Sequence, residues 1–268
     1  LTINSHILLT RFNVRVRARW SRAGADPAWL ANRFDLFERY CLPTVRSQTA
    51  TDFRWLIYFD ASTSEEHLDR ARAALRGIKQ ASIVLIDAFD REAWLPPILE
   101  AISPGAERVI TTRLDNDDAL HPDFLRTIQR AAQSASRPMF LNLTRGYTLR
   151  DNRLYEVRDR SNAFLSLVES NADIETVWVK PHTEATSFAP VQQVDAPPSW
   201  LQVIHGANVS NRVRGKRVPS RRLHEFGLPV VGADSALAIL ADNLSRYPAR
   251  LARDAAVGVA RRFRRLAR

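Results

Sequence analysis

The stretch RVITTRLDNDD (residues 108–118) decides the fold. Its first half is β-branched and apolar enough for a buried strand, and it breaks off at Asp115, where Asp115-Asn116-Asp117-Asp118 begins. A second apolar run, FRWLIYF (53–59), ends as abruptly at Asp60, and HILLTRF (6–12) and SIVLI (82–86) are two more of strand length. Helical patterns lie between them. Asp26-Pro27 joins an N-cap to a proline at the first helical position, and Trp29, Leu30, Phe34, Phe37 and Leu42 follow at helical spacing. Ser64-Glu65-Glu66 opens a helix with Leu68, Ala71, Leu75 and Ile78 on one stripe, and residues 91–102 form a shorter one with Pro96-Pro97 near its start. His121-Pro122-Asp123 begins another that runs to about Ala132. Strands alternating with helices predict right-handed crossovers and a mostly parallel central sheet, an α/β fold.

Beyond about residue 135 the texture changes. PMFLNLT (138–144), YTLRDNRLYEVR (147–158) and TVWVK (176–180) read as strands, the second a hairpin with Asp151-Asn152 in its turn. Residues 181–199 hold four prolines and read as an extended loop; helix returns at Asp234. The expected organisation is an α/β half over 1–135, a mixed half over 136–245 on the same continuous sheet, and a C-terminal segment over 246–268.

Composition narrows the class. Of 268 residues 45% are hydrophobic and 25% charged, as in an ordinary globular protein, and no apolar run approaches the ~20 residues that cross a bilayer. LTINSHILLTRF has no basic n-region or cleavage site, which argues against a signal peptide, and a single cysteine, Cys41, excludes an intrachain disulfide. The expectation is a cytoplasmic protein. Its net charge of +10 is unevenly spread: residues 246–268 hold eight Arg and one Asp, a net +7, which leaves +3 for the other 245 residues. On a helical wheel of this tail Leu251, Ala255, Val259, Phe263 and Leu266 share one face, with Arg250, Arg253, Arg261, Arg264, Arg265 and Arg268 opposite. Such a helix suits the inner face of an anionic membrane or packs its apolar stripe on the body.

Ligands of an open parallel sheet bind beyond the carboxyl ends of its strands, where Asp60 and Asp115 fall. Three carboxylates within four residues repel one another unless positive charge sits among them. A hard divalent cation such as Mn²⁺ or Mg²⁺ answers that need and would also bind a diphosphate. An isolated cluster of this kind is otherwise a solvated loop that caps the next helix.

These elements together resemble a known family. LDNDD after one strand and FDAST after an earlier one are similar to glycosyltransferases of the GT-A fold, family 2 type. HILLTRFN, RFDLFERYCLPTVRSQT, DFRWLIYFD, RLDNDDAL and HGANVS more narrowly resemble the rhamnosyltransferase family of bacteria, over roughly residues 5–240. The resemblance implies a nucleotide-sugar-binding first half and an acceptor-binding second half. It maps nucleotide contacts to Thr10, Arg11 and Asn13, a base-reading acid to Asp60, and the DxD acids to Asp115, Asp117 and Asp118, with Asp117 or Asp118 on the metal. The family commonly has a second acid before Asp60, where Phe59 stands here. Its ED pair is represented by Ala233-Asp234, which makes Asp234 the candidate catalytic base or, equally, the N-cap of the helix SALAIL. His205, in HGANVSN, is either a metal or diphosphate ligand or a loop histidine.

The chemistry implied is inverting transfer of a sugar, rhamnose among the candidates, from a UDP- or dTDP-linked donor to a hydroxyl of a glycan or lipid-linked acceptor. A cation neutralises the diphosphate and one carboxylate takes the acceptor proton. Two other classes compete. A nucleotidyltransferase would show a Gly-rich phosphate loop near the N-terminus, and none is present. A basic nucleic-acid- or membrane-binding protein would spread its charge beyond the tail and interleave aromatics with it. Trp178 and Trp200 could stack on a sugar but serve as readily in a core.

Overall fold

Six successive residues, Ser5–Thr10, are buried in the first strand, and only a strand covered on both faces can bury such a run. In the computed structural model, which describes residues 4–14, 26–135, 138–206, 212–230 and 234–255, this strand lies inside a seven-stranded sheet. Strands β1 (Asn4–Arg11), β2 (Arg54–Asp60), β3 (Ala81–Ile86) and β4 (Arg108–Arg113) are parallel, in the order β4-β1-β2-β3. The four strands read from the sequence are all present. So are their helical crossovers: α1 (Pro27–Leu36), which continues through a π turn at Phe37–Cys41 into α2 (Leu42–Arg46), then α3 (Glu65–Ala74) and α4 (Arg91–Glu100).

Local chemistry accounts for the helix ends. Asp26 accepts from the Ala28 N–H at 2.9 Å and caps α1, and Asp90 accepts from Ala93 N–H at 3.0 Å and caps α4. Pro96 and Pro97 fall in the middle of α4, not near its start. The π turn lets one helical path serve two cores. Phe37 and Cys41 enter the large cluster against β1 and β2, while Tyr40 enters the cluster under the second sheet. Cys41 is fully buried, and burial pushes its thiol well up, so it stays protonated and inert.

The second half does not continue one sheet, as the sequence led us to expect. It divides. After the short β5 (Ala119–Leu120) and α5 (Phe124–Ala132), strands β6 (Met139–Leu143), β9 (Ser166–Ser170) and β10 (Val191–Val194) extend the first sheet beyond β4. Strands β7 (Arg145–Arg150), β8 (Arg153–Arg158), β11 (Trp200–Ile204) and β12 (Lys216–Val218) join β5 in a second sheet of order β12-β8-β7-β11-β5. The hairpin at Asp151-Asn152 is as read: both residues have positive φ (49° and 59°), the type I′ geometry that matches strand twist.

Two readings of the second half are corrected. TVWVK is not a strand. The Glu169 carboxylate accepts the Glu175 and Thr176 N–H groups, both at 2.9 Å, and folds the chain back after β9. Trp178 then plugs an aromatic cluster edge-on to Tyr58, Phe89 and Trp94. Its β-branched and aromatic neighbours are core filler. The stretch 181–199 is not all loop either, since it contains a 3-10 turn (His182–Ser187) and β10, which pairs in parallel with β6. Among the described residues no helix is long and apolar enough to cross a membrane. Residues 247–255 are helical; the tail pattern beyond them lies outside the described residues.

Gly146 of β7 lies hard against a side chain of the neighbouring strand β11. A Cβ there would stand 2.1 Å from the ring of Trp200, which is stacked on Phe164 and donates from Nε1 to the Leu143 carbonyl at 2.8 Å. The ring cannot yield without losing both contacts. Gly146→Ala should therefore destabilise the protein by about 1–3 kcal/mol, the usual cost of overpacking, as read by chemical denaturation. An unchanged midpoint would show that Trp200 can shift.

Candidate active site

Strand β4 ends at Arg113, and the chain turns through Asp115–Asp118 into β5, so the acidic loop lies where the two sheets meet. The turn is held from three sides. Asp118 N–H donates to the Asp115 carbonyl at 3.1 Å, Asn116 Nδ2 to the Phe12 carbonyl at 3.1 Å, and Val203 N–H of β11 to Asp118 Oδ1 at 2.9 Å. Asn116, Asp117 and Asp118 are all buried.

Burial of Asp117 and Asp118 beside the half-buried Asp115 demands compensation, and the chain supplies three guanidinium groups. Arg113 grips Asp115 with Nη2 at 2.8 and 3.1 Å and Nε at 3.2 Å, and Arg11, at the end of β1, stands 3.8 Å away. Burial alone would raise the Asp115 carboxyl; these cations overcome it and hold it well below the usual range. Burial, reinforced by Arg113, pulls the Arg11 guanidinium down to about 10. Arg33 of α1 donates from Nη1 to Asp117 Oδ2 at 2.7 Å, and its guanidinium also covers the Trp29 ring at 5.2 Å. No arginine among the described residues pairs with Asp118. Burial first, then Asp117 and Asp115, push its carboxyl well up.

The loop histidine reaches the acidic loop. His205, directly after β11, places Nε2 2.8 Å from Asp117 Oδ2 and 3.2 Å from Arg33 Nη1, although 88 residues separate it from Asp117. Burial would raise Asp117, but His205 and Arg33 outweigh it and hold the carboxyl down. A carboxylate oxygen and an imidazole nitrogen at one point are donors that a divalent cation takes, and Arg33 stands there as a positive charge of the chain's own. Among the described residues no three His, Cys, Asp or Glu side chains form a complete cage. A cation here would thus complete its shell with diphosphate and water oxygens, as Mg²⁺ commonly does.

The neighbouring strand ends form the other side of the site. Asp60 is buried at the end of β2, and its Oδ1 accepts from Ser62 N–H at 2.9 Å and from the Ser62 hydroxyl. Asn13 ties the loop after β1 to it, accepting from Asp60 N–H at 3.1 Å and donating to Thr63 Oγ1 at 3.0 Å. Phe59 points the other way and stacks on Phe12 at 4.4 Å, so a second acid before Asp60 would be buried in the core. Thr10 is fully buried, and its Oγ1 accepts from Trp55 Nε1 at 2.9 Å. That hydroxyl bolts β1 to β2 and offers no side-chain surface to a ligand.

Asp234 is not brought to the acidic loop. One oxygen accepts from Arg217 Nη2 of β12 at 2.7 Å and the other from Ser220 N–H at 2.5 Å. β12 lies three strands from β11, about 14 Å at the usual ~4.8 Å spacing. Burial would raise this carboxyl, but the Ser220 bonds and Arg217 hold it below its ordinary value. Neither property suits a base. The cap reading is corrected too, because α6 (Ala236–Ser245) is capped by Ser235. Asp234 clamps β12 to the entry of α6. The flanking Gly232-Ala233 and the run 207–211 of HGANVSN lie outside the described residues.

Sequence reasoning missed Arg113 and Arg33. Arg113 was legible, since residues 113 and 115 project to the same side of an extended chain. Arg33 was not: nothing in local spacing distinguishes it from Arg70 and Arg72 of α3.

Parallel strands feeding an acidic loop at the carboxyl edge define an α/β frame with its acids where open sheets of this kind bind ligands. The chain belongs to the family described as "Putative rhamnosyl transferase", whose model matches residues 6–217. No curated protein sequence matches it significantly. Among solved structures it is similar to S. aureus TarS 1–349 (10% identity, TM-score 0.44, 74% of this chain and 60% of that one) and to the same protein in complex with UDP-GlcNAc (12%, 0.45, 91% and 72%). It is also similar to the inositol-1-phosphate CTP transferase from T. maritima (11%, 0.38, 87% and 98%). In the first of these alignments the chain spans 60% of the TarS chain.

A clamp and a base respond differently to Asp234→Asn. Breaking a buried ion pair costs about 3 kcal/mol, so the variant should melt early, with turnover per folded molecule within roughly threefold of wild type. A fall of ~10²-fold or more at unchanged melting temperature would instead make Asp234 the base.

Proposed function

We propose that the protein transfers a sugar, with inversion, from a nucleotide-diphosphate donor to a hydroxyl of a glycan or lipid-linked acceptor. The observation that carries this reading is the meeting of Asp117 and His205 beside Asp115 at the carboxyl edge of β4 and β1. On this reading the nucleoside lies over the β1–β2 end, with Asp60 and Asn13 at the base and Asp115 toward the ribose. Arg11 and Arg33 then face the diphosphate. Asp117 and His205 would hold Mn²⁺ or Mg²⁺, with Asp118 behind them; when bound, the ion neutralises charge on the departing diphosphate.

The rest of the chemistry falls to the chain. Arg33 must leave Asp117 when a cation arrives, and its guanidinium is then within reach of phosphate oxygens, where a planar fork of donors is well suited. Asp118, pinned to β11, fixes His205 relative to Asp117 by fixing the strand that carries it. Inversion needs one base acting on the acceptor hydroxyl and no second nucleophile. Nucleotidyl transfer remains the second class, and the absence of a Gly-rich phosphate loop in the sequence speaks against it.

Two measurements test the reading. Calorimetric titration with UDP and dTDP in the presence of Mn²⁺ should show affinity lowered ~10-fold or more by Asp117→Asn and by chelator, since charge-assisted contacts of this kind are each worth ~1.5–3 kcal/mol. Equal affinity for wild type and variant, with and without chelator, would exclude the site. Separately, Arg33→Gln should tighten Mn²⁺ binding to donor-free protein several-fold, roughly the strength of one displaced ion pair, as read by manganese paramagnetic resonance. No gain would mean that Arg33 does not compete for Asp117. Mass spectrometry of nucleotide released from a panel of nucleotide-sugars identifies the donor.

A further inference from the structure

Helix α6 is mounted the wrong way round for a helix in water. Its polar residues face the body: Asn243 Oδ1 accepts from Arg217 N–H at 2.8 Å and its Nδ2 donates to the Arg217 carbonyl at 2.9 Å. Asp242 is buried against Arg250 at 2.6 Å, and Arg250 lies over the Tyr155 ring and donates to the Gly215 carbonyl. Its leucines face outward. Leu237, Leu240, Leu244 and, in the helical residues that follow, Leu251 are 76%, 54%, 71% and 50% exposed. Their spacing of three, four and seven puts them on one face. Arg250, which the sequence wheel assigned to the solvent side of the tail, belongs to the inner anchor.

We propose that this leucine face docks on an anionic lipid bilayer surface. An apolar stripe that polar anchors hold outward is normally covered by a partner. Helix α6 has only ten residues, and no described helix is long and apolar enough to span a bilayer, so the fit is to lying in the interface. Charge selects among apolar partners. The chain from residue 246 onward carries +7, and basic residues beside an apolar helical face are drawn to anionic headgroups. A second copy docked face to face would bring two such segments together and be repelled. The proposal is independent of the donor chemistry, because none of these leucines touches the acidic loop.

The test uses the full chain and vesicles of phosphatidylcholine with and without phosphatidylglycerol. Wild type should sediment with the anionic vesicles, weaken as salt rises, and ignore the neutral ones. The triple variant Leu237→Gln, Leu240→Gln, Leu244→Gln should lose ~10-fold or more in partition, because the buried apolar area drives insertion. Its melting temperature should hold, since the changed side chains are exposed. Three results would overturn the proposal: no binding of wild type to anionic vesicles, equal binding by the variant (charge alone), or a wild-type dimer that the variant dissolves (a second copy as occupant).

Discussion

The pairing of Arg33 with Asp117 is the contact around which the site is arranged. Three carboxylates within four residues, two of them buried where two sheets meet, cannot stand without positive charge. The fold meets this from several directions at once. Arg11 arrives at the end of β1, Arg113 at the end of β4, and Arg33 from a helix that must pack closely enough to reach over the strand ends. Among the described residues Asp118 alone is left without a guanidinium, and it is the acid whose carboxyl burial pushes upward. Parallel strands, crossover helix and acidic loop are thus one electrostatic problem solved together.

The second sheet enters through the same loop. Val203 N–H gives Asp118 its hydrogen bond, and two residues later the chain delivers His205 to Asp117. Splitting the strands into two sheets therefore has a local purpose. β11 leaves the central sheet, pairs with β5, and brings a histidine across the acidic loop that a strand continuing the first sheet could not. The close seat of Trp200 on Gly146 fixes β11 in register beside β7, and with it the position of His205.

What could be read in the sequence follows from range. The parallel strands, their carboxylate ends and the I′ hairpin are local patterns, each decided within a dozen residues. His205 was legible only through family resemblance, because nothing nearby announces a partner 88 residues away. The split of the sheets was not legible, since strand partners are chosen by long-range packing. Nor was the fate of TVWVK, whose β-branched and aromatic residues suit a strand and a core plug equally until Glu169 takes the Glu175 and Thr176 N–H groups. Asp234 failed for a related reason: the sequence put it before a helix, as a base would be, but could not reveal Arg217.

Charge balance links the acidic loop to the proposed reaction. With three acids facing three arginines, the loop is near neutrality. A nucleotide-sugar brings two negative charges on its diphosphate into this buried place, and a divalent cation arriving with it would return the balance almost to where it began. Neither ligand alone would. A cation without diphosphate must displace Arg33 and leave surplus positive charge, while a diphosphate without cation meets Asp117 and Asp115 with only their present partners to offset it. On the proposed reading, Arg33 thus makes the two ligands favour one another's binding, and a guanidinium on a helix is well suited to this because it can exchange a carboxylate for a phosphate without losing its charge.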